Sequence, residues 1–328
     1  MKIAIVGAGF TGLATAWYIL QQSQACEVTI FDEKAIGGGT SGIAAGLLHY
    51  YAGAHAKLNR FGKEGWQETN YLLDIASQAL GKPVAEYRGM LRLALTDAQV
   101  EDFSVSAAHH SDLSLWDTET CRQKIPYVNA RIGLFIPSAI AVFSNLYLAG
   151  LWEACRLKGA RFIQQQIAVI DELTHFDHII IATGEGTGSL IDLNQFNLNR
   201  VKGQLLELQW PPQLAPLPFP LNSHVYLMMS PSQQTCIVGS TFEREFTDLQ
   251  SDLTKAKNEI LPKVYEFFPL LRKMPVVNAF SGGRLSAKNH LPLCKQINAQ
   301  TWLLTGMGSK GLLYHALFAK KLVRNIFE

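Results

Sequence analysis

Residues 1–33 read MKIAIVGAGFTGLATAWYILQQSQACEVTIFDE. A short apolar run ends at the glycine turn GAGFTG (7–12). Apolar residues then recur at the three- and four-residue spacing of a helix, and a second β-rich run ends in Asp32. Strand, glycine turn, helix, strand and acid in this order are typical of a dinucleotide-binding βαβ unit. The stretch therefore predicts a Rossmann-like fold that binds an adenine dinucleotide.

Each glycine of this turn has its own predicted role. Gly7 would form the tight turn, Gly9 would let the backbone approach a pyrophosphate, and Gly12 would let the helix pack closely on the strand. The N-terminus of the helix would offer unpaired N–H groups and a positive dipole to the phosphates. Asp32 lies twenty residues after Gly12, where a carboxylate can accept hydrogen bonds from ribose hydroxyls.

The composition limits the class of protein. The chain has 328 residues, of which 48% are hydrophobic and 17% are charged, which is enough for a buried core and two domains. Only Lys2 precedes the first apolar run, and glycines interrupt that run, so a secretory signal peptide is not expected. No stretch of about eighteen apolar residues predicts a membrane span. The five scattered cysteines favour a reducing, cytoplasmic location and argue against a metal site.

Charge is spread unevenly along the chain. The net charge is only +2, but residues 251–328 carry 12 Lys and Arg against 4 Asp and Glu, while residues 1–250 carry 17 against 23. The basic C-terminal quarter could contact a polyanion. The alternative is a solvated basic face on terminal helices, and the sequence leaves both interpretations open.

The segments after the first unit indicate a mixed architecture. The run GGGTSGIAAGLL (37–48) has no strand before it, so it predicts backbone lying against a large flat group rather than a second dinucleotide site. The periodicity predicts a helix over 58–80. Residues 97–131 are polar and are predicted to be irregular. The pair His109-His110 within them indicates a surface loop rather than a metal site.

Later segments predict more strands and helices. Ser144 is expected to cap a helix over 145–158. The run FDHIIIATG (176–184) predicts a buried parallel strand whose final small-residue turn could contact a cofactor. Residues 250–270 predict a helix broken at Pro262.

The last third of the chain has a different pattern of apolar and polar residues. From residue 201 onward, alternating β runs predict an antiparallel sheet and therefore a second domain. The run TWLLTGMGSKGLL (301–313) predicts a final strand, a glycine-rich turn and a helix N-terminus. Such a helix N-terminus stabilises negative charge placed beside it.

Taken in order, these motifs resemble the FAD-dependent D-amino acid oxidase and glycine oxidase superfamily. The N-terminal fingerprint, GGTSGIAAGLL, IIIATG, VKGQLLEL, GSTFERE and GMGSKGLL carry the resemblance over nearly the whole chain. GLFIPSA, GGRLSAKNHLPL and TGMGSKGLLYHAL are most similar to the oxidase domain of bifunctional tRNA wobble-uridine enzymes. In those enzymes this domain removes the carboxymethyl group from carboxymethylaminomethyl-uridine.

The resemblance implies an α/β fold, α+β overall, with a discontinuous domain arrangement. A Rossmann-like FAD-binding domain would comprise residues 1–80, 140–200 and 284–328. Residues 81–139 and 201–283 would form a substrate-binding domain on a mostly antiparallel sheet. FAD is expected to be bound without a covalent link, because the cysteine that attaches flavin in sarcosine oxidases has no counterpart.

The resemblance also implies the residues of the site. Arg284 would clamp a substrate carboxylate, and Tyr226 would lie beside it; the alternative for Arg284 is a structural pair with a buried acid. Lys310 and Lys288 would raise the positive potential near the flavin, or would simply be surface lysines. The residues implied to contact FAD are Gly7, Gly9, Gly12 and Asp32 for the ADP half, Ile167 or Val169 near the adenine, Thr40, Ser41, Ala45, Gly46 and Leu47 along the flavin, Ala182 and Gly184 in the small-residue turn, and Gly308, Ser309, Lys310, Gly311 and Leu312 at the isoalloxazine edge.

The expected function is FAD-dependent oxidation of the C–N bond of a carboxylate-bearing amine, with hydride transfer to flavin N5. The leading substrate is the carboxymethylaminomethyl group of a tRNA wobble uridine. A free glycine or D-amino acid oxidase is the alternative, although Ser309 stands where glycine oxidases have a second arginine. A nicotinamide-dependent dehydrogenase and a flavin-bearing interaction protein without turnover are the other two classes.

Several features stay open at this level. The tRNA enzymes carry an N-terminal methyltransferase domain that this sequence does not contain, so a separate methyltransferase partner is expected. The electron acceptor, the oligomeric state and the roles of His49, Tyr51 and His290 are not defined by the sequence.

Overall fold

Two large sheets organise the molecule. The computed structural model describes residues 1–23, 25–51, 53 and 55–328. The strands are β1 (Lys2–Val6), β2 (Glu27–Asp32), β3 (Leu47–Leu48), β4 (Ala85–Glu86), β5 (Met90–Ala94), β6 (Ser114–Asp117), β7 (Ile132–Ile136), β8 (Ile140–Val142), β9 (Arg161–Gln164), β10 (His178–Ile181), β11 (Leu198–Gln209), β12 (Leu221–Asn222), β13 (Tyr226–Met229), β14 (Thr235–Gly239), β15 (Val276–Ala287), β16 (Leu293–Gln296) and β17 (Thr301–Thr305). The α-helices are α1 (Phe10–Gln22), α2 (Thr40–Ile43), α3 (Gly62–Leu80), α4 (Asp97–His109), α5 (Thr118–Lys124), α6 (Ser144–Leu157), α7 (Leu253–Phe267) and α8 (Gly311–Phe327).

The first sheet contains the predicted dinucleotide-binding unit. Its six strands lie in the order β16-β17-β10-β1-β2-β9, and every pair is parallel except β16 with β17. The central strand β1 is buried along four of its five residues, as expected for a parallel strand covered on both faces. Helices α1, α3, α6 and α8 pack against one another beside this sheet. The predicted Rossmann-like unit is therefore confirmed.

The second sheet is mostly antiparallel, as predicted. Its eight strands lie in the order β15-β11-β14-β13-β12-β5-β7-β6, and only β12 and β5 run parallel. One face of α7 buries Ala256, Ile260, Val264 and Phe267 in a hydrophobic core on this sheet. A small third sheet joins β3, β8 and β4. The chain boundaries given above for two domains stay a prediction.

Three local predictions are wrong. Residues 97–131 are not irregular, because they contain α4 and α5. Thr96 caps α4 in a capping box with Gln99, a T-x-x-Q signal that the sequence does contain. Ser144 does not cap α6 from outside but is its first residue. Its hydroxyl instead donates to the backbone oxygen of Ala44 at 2.7 Å.

Pro262 does not break α7 either. The helix runs unbroken from Leu253 to Phe267 with Pro262 inside it. Pro262 lies on the exposed face, while the opposite face carries the buried residues Ile260 and Val264. Packing of that face on the second sheet offsets the backbone hydrogen bond that the proline cannot donate. Among the described residues, no helix is both long and apolar enough to cross a bilayer.

His315 on α8 makes the stability of the fold dependent on pH. The ring is fully buried, its Nδ1 donates to the Gly311 oxygen at 2.9 Å, and Tyr147 donates to its Nε2 at 2.7 Å. Burial lowers the pKa of His315 to about 4, so the ring stays neutral in the fold at pH values where the unfolded chain, with a histidine pKa of about 6.5, is protonated.

The free energy of unfolding should therefore fall as the pH drops from about 6.5 to about 4, and His315 contributes about 1.4 kcal/mol of this loss per pH unit. Urea unfolding of the native chain and of His315→Gln at pH 7, 6 and 5 measures the effect. The variant should be less stable at pH 7 but should lose less stability on acidification. Equal slopes in the two proteins would contradict the assignment.

Candidate active site

A cleft of about 860 Å³ lies where the two sheets meet. Its lower wall is the carboxyl edge of the parallel strands, with Val6, Asp32, Ala182 and Thr305 at the ends of β1, β2, β10 and β17. Its other wall is one face of the second sheet. Ligands of open α/β sheets bind outside the carboxyl ends of the strands, so this cleft is the candidate site.

The three glycine positions of the turn after β1 leave too little space for a Cβ atom. Gly7 has φ +110°, and a Cβ there would lie 2.5 Å from the Ala182 oxygen. A Cβ on Gly12 would lie 1.8 Å from the Gly7 oxygen, and one on Gly9 would lie 2.8 Å from Ser41 Oγ. Helix α1 begins here with no acidic residue in its first turn and no side-chain cap. Bare backbone at the positive end of a helix fits a pyrophosphate.

Asp32 lies at the end of β2 and lines the same cleft. Its two carboxylate oxygens accept hydrogen bonds from the backbone N–H groups of Ala8, at 2.7 Å, and Lys34, at 2.9 Å. These bonds fix the orientation of the carboxylate and leave lone pairs for further donors. The position suits ribose hydroxyls, so the turn and the acid together fit the ADP half of FAD.

The segment 40–47, which contains α2 and the first residue of β3, lines the next part of the cleft. Thr40, Ser41, Ala45, Gly46 and Leu47 all face it. Ser41 Oγ accepts from the Phe10 N–H at 3.2 Å, which ties α2 to the glycine turn. Gly46 has φ +84°, and a Cβ there would meet the Val142 oxygen at 1.8 Å. The resulting flat backbone wall fits an isoalloxazine ring.

The N-terminus of α8 closes the far end of this wall. Gly308, Ser309, Gly311 and Leu312 line the cleft. Helix α8 has no acidic residue in its first turn and no side-chain cap, so its positive end is available to negative charge. This geometry fits the anionic edge of a reduced flavin.

Some predicted residues lie outside the cleft lining. Gly12 is buried below the turn, and Val169 is 56% exposed, whereas the alternative Ile167 does line the cleft. Lys288 is exposed. Lys310 places its Nζ 5.9 Å from the centre of the Tyr314 ring, and partial burial lowers its pKa. The roles given to these residues stay predictions.

Arg284 and Tyr226 meet in the wall formed by the second sheet, and both line the cleft. The Arg284 side chain extends across Gly203 of β11, where a Cβ would lie 1.9 Å from its Nη2. The guanidinium donates to Ser240 Oγ at 3.3 Å. Burial lowers the pKa of Arg284, and its attraction to Tyr226 opposes that shift. Burial also raises the pKa of Tyr226, so its hydroxyl stays protonated.

The predicted alternative for Arg284 was a structural ion pair. Among the residues that the structure describes, no carboxylate oxygen lies within 4.0 Å of the Arg284 guanidinium. Arg284 is half-buried, and a cation that is partly withdrawn from water is costly unless an anion pairs with it. The arrangement is therefore suited to an anionic ligand in the cleft.

Several cleft residues were not singled out from the sequence. Glu185 lines the cleft and accepts from Arg200, which stacks on Phe246. Residues brought in by strand pairing rather than by a local motif include Arg92, Asn222, His224 and Ser240. A capping box or glycine turn can be read locally, but these positions depend on the register of strands distant in sequence.

Comparisons with known proteins find relatives along nearly the whole chain. The family model described as "DAO: FAD dependent oxidoreductase" matches residues 2–324. The tRNA 5-methylaminomethyl-2-thiouridine biosynthesis bifunctional protein MnmC of Polaromonas naphthalenivorans is 26% identical over 379 residues, covering 99% of this chain and 56% of that protein. The protein of the same name from Maricaulis maris is 23% identical and is covered over 52% of its length. The chain thus spans about half the length of these relatives.

Solved structures share the fold. Glycine oxidase from Geobacillus kaustophilus superposes with a TM-score of 0.84 at 18% identity, covering 99% of this chain and 95% of that one. Iminodiacetate oxidase from Chelativorans sp. gives a TM-score of 0.82 at 16% identity with the same coverage. The mixed α/β fold expected from the sequence is therefore confirmed.

Proposed function

The chain belongs to the DAO family of FAD-dependent oxidoreductases, and we propose that it oxidises the C–N bond of an amine that also carries a carboxylate. FAD is the cofactor of this family, so the alternative of a nicotinamide-dependent dehydrogenase is excluded. The absence of a covalent link to FAD stays a prediction.

The observation that carries the proposal is the Arg284 guanidinium in the cleft. It is held by Ser240 Oγ on one side, is attracted electrostatically to Tyr226 and has no carboxylate partner within the described chain. A planar guanidinium can bind a carboxylate through two parallel N–H···O bonds. Tyr226, protonated because burial raises its pKa, can donate a third bond to the same carboxylate.

The protein's own residues would act by binding and orientation. Bound FAD supplies the acceptor for the hydride that the substrate's α C–H loses. Arg284 and Tyr226 would fix the carboxylate and so align that C–H bond. The uncapped N-termini of α1 and α8 would stabilise negative charge on the cofactor. We identify no protein group as an acid or base, since a neutral amine can lose hydride without one.

We propose a tRNA wobble uridine with a carboxymethylaminomethyl group as the substrate. Two relatives that cover 99% of the chain are named as tRNA biosynthesis proteins.

A basic-aromatic surface formed by Arg60, Phe61 and Lys321 also supports a polyanionic partner. Lys321 Nζ and Arg60 Cζ lie 4.1 Å and 4.9 Å from the centre of the Phe61 ring, both are exposed, and no described carboxylate pairs with either.

This surface lies near the cleft, because α8 begins at the cleft wall and Lys321 is ten residues along it, about 15 Å away. Replacement of both Arg60 and Lys321 by alanine should weaken tRNA binding and reduce the slope of log Kd against log salt by about 1 to 2. Fluorescence titration at 50 to 200 mM salt measures both. The control is the double alanine variant of Arg272 and Lys273, which removes the same charge from the segment that follows α7. An equal loss of tRNA affinity in both double variants would contradict the assignment.

The substrate is tested by visible spectroscopy of the holoenzyme under nitrogen. Wild-type protein is mixed with tRNA carrying the modified wobble base or with free glycine. Bleaching of the flavin band by tRNA alone supports the proposal, whereas bleaching by glycine supports the free amino acid oxidase. A protein that is bleached by neither is not an oxidase of either substrate.

A tRNA substrate would have consequences for the partners and the location of the chain. Its relatives are named as bifunctional proteins, and we propose that a methyltransferase acts together with this chain on the same tRNA. tRNA modification would also place the enzyme in the cytoplasm.

A further inference from the structure

One row of residues crosses the second sheet along the cleft. Strand register pairs Arg92 of β5 with Asn222 of β12, Asn222 with Tyr226 of β13, and Tyr226 with Gly239 of β14. Residues directly opposite each other across strands project from the same face, and all four line the cleft. At about 4.8 Å per strand, the Arg92 and Tyr226 backbones are about 10 Å apart.

The two ends of the row differ in chemistry. At the Tyr226 end, Arg284 extends over Gly203 to Ser240 and provides the proposed carboxylate site. The row then leads away from that site to Arg92. Any substrate that binds its carboxylate at Arg284 and is longer than glycine can extend along this row.

His49 lies at the Arg92 end and lines the cleft. Its Nδ1 atom is buried and has no hydrogen-bond partner among the described residues. A contact with the Tyr51 backbone favours the protonated ring, and because Nδ1 has no partner among the described residues we assign that contact to Nε2–H. Arg92 Nη1 donates to the Tyr51 backbone oxygen at 3.1 Å. Burial, helped by the charge of Arg92, lowers the pKa of His49 to about 3. The ring is therefore neutral, and Nδ1 offers a lone pair.

We propose that His49 Nδ1 accepts a hydrogen bond from an N–H of a planar heterocycle attached beyond the amine nitrogen of the substrate. A buried acceptor without a donor is costly, and a ligand N–H would satisfy it. This inference rests on the proposed function, and it makes the Arg92 end of the row a recognition subsite for the uracil ring.

The dimensions of the substrate agree with this placement. In a carboxymethylaminomethyl uracil, six bonds separate the carboxylate carbon from N3, a span of about 7 Å, twice the reach of an extended residue. The N3–H group is a donor and the neighbouring O4 is an acceptor. His49 Nδ1 can accept from the former, and the Asn222 amide, in the same row, can donate to the latter. Free glycine has no group that reaches this end.

The test uses ligands that cannot be oxidised. In 5-(carboxymethoxymethyl)uracil an ether oxygen replaces the amine nitrogen. Its N3-methyl derivative lacks the N–H donor, and methoxyacetate lacks the ring. Isothermal titration of the holoenzyme with each ligand is carried out for the native chain, His49→Leu and His49→Asn. The asparagine Oδ1 can take the place of Nδ1 as an acceptor, so His49→Asn is the matched control.

The native enzyme should bind the parent ligand about tenfold more tightly than its N3-methyl derivative. His49→Leu should lose this preference, His49→Asn should keep most of it, and the affinity for methoxyacetate should be equal in all three proteins. A preference that persists in His49→Leu, or that is absent from the native enzyme, overturns the subsite while leaving the carboxylate site intact. Failure of the native enzyme to bind even methoxyacetate would overturn the proposed function itself, and the subsite with it.

Discussion

Replacing Arg284 by alanine should lower kcat/KM for the carboxylate-bearing amine by about thirtyfold or more while the protein keeps its FAD. Truncating one partner of a buried, hydrogen-bonded charge pair costs about 2 to 5 kcal/mol, and about 1.4 kcal/mol is a tenfold change. Among the described residues, no hydrogen bond or ion pair links Arg284 to Gly7, Gly9 or Asp32, the residues that fit the ADP half. Steady-state kinetics and the flavin absorbance of the purified variant measure the two effects.

Two further variants give this experiment its controls. Arg284→Lys keeps the charge but loses the planar fork, so it should retain part of the lost activity. Arg272→Ala removes an exposed arginine that lies over Tyr265, next to α7 and away from the cleft, and should behave like the native enzyme. An unchanged kcat/KM in Arg284→Ala would mean that another group holds the carboxylate, or that the substrate has none.

The sequence predicted those parts of the fold that local spacing determines. The turn around Gly7 and Gly12 and the run 301–313 each depend on residues within one or two elements. Such patterns are visible without the rest of the chain. They also define most of the cleft wall that fits FAD.

The substrate side of the cleft was less predictable for a physical reason. Arg92, Asn222 and Tyr226 lie in one row only because β5 pairs with β12 and β12 with β13. A shift of one residue in either register would turn the side chains to the other face. Register follows from the packing of the whole sheet, so no local pattern identifies the row. Arg284 and Tyr226 were identified through resemblance, whereas Arg92 was not.

Errors in the helices have a similar origin. Helix α4 buries only Phe103 and Ser106, so its apolar stripe is too thin to be recognised by periodicity. The capping box of Thr96 and Gln99 was the better signal. At α7, the breaking effect of Pro262 was overestimated because the packing of the opposite face on the second sheet was not visible in the sequence.

Replacing Gly12 by alanine should yield a colourless, less stable protein. A Cβ there would lie 1.8 Å from the Gly7 oxygen and 3.0 Å from the Gly7 carbonyl carbon, so α1 must move away from β1. Overpacking of this kind costs about 1 to 3 kcal/mol. The movement would also displace the N–H groups at the start of α1 from the cleft, and the pyrophosphate site would be lost.

The ratio of flavin to protein absorbance and the thermal midpoint with and without added FAD measure these effects. Added FAD should raise the Tm of the native apoprotein but not that of Gly12→Ala, because a ligand stabilises only the fold that binds it. Gly188→Ala is the matched control, since a Cβ there meets only the end of the flexible Leu193 side chain, at 3.1 Å. If Gly12→Ala were purified with a full complement of FAD, the turn after β1 would not be the pyrophosphate site, and the orientation of FAD along the cleft would have to be reversed.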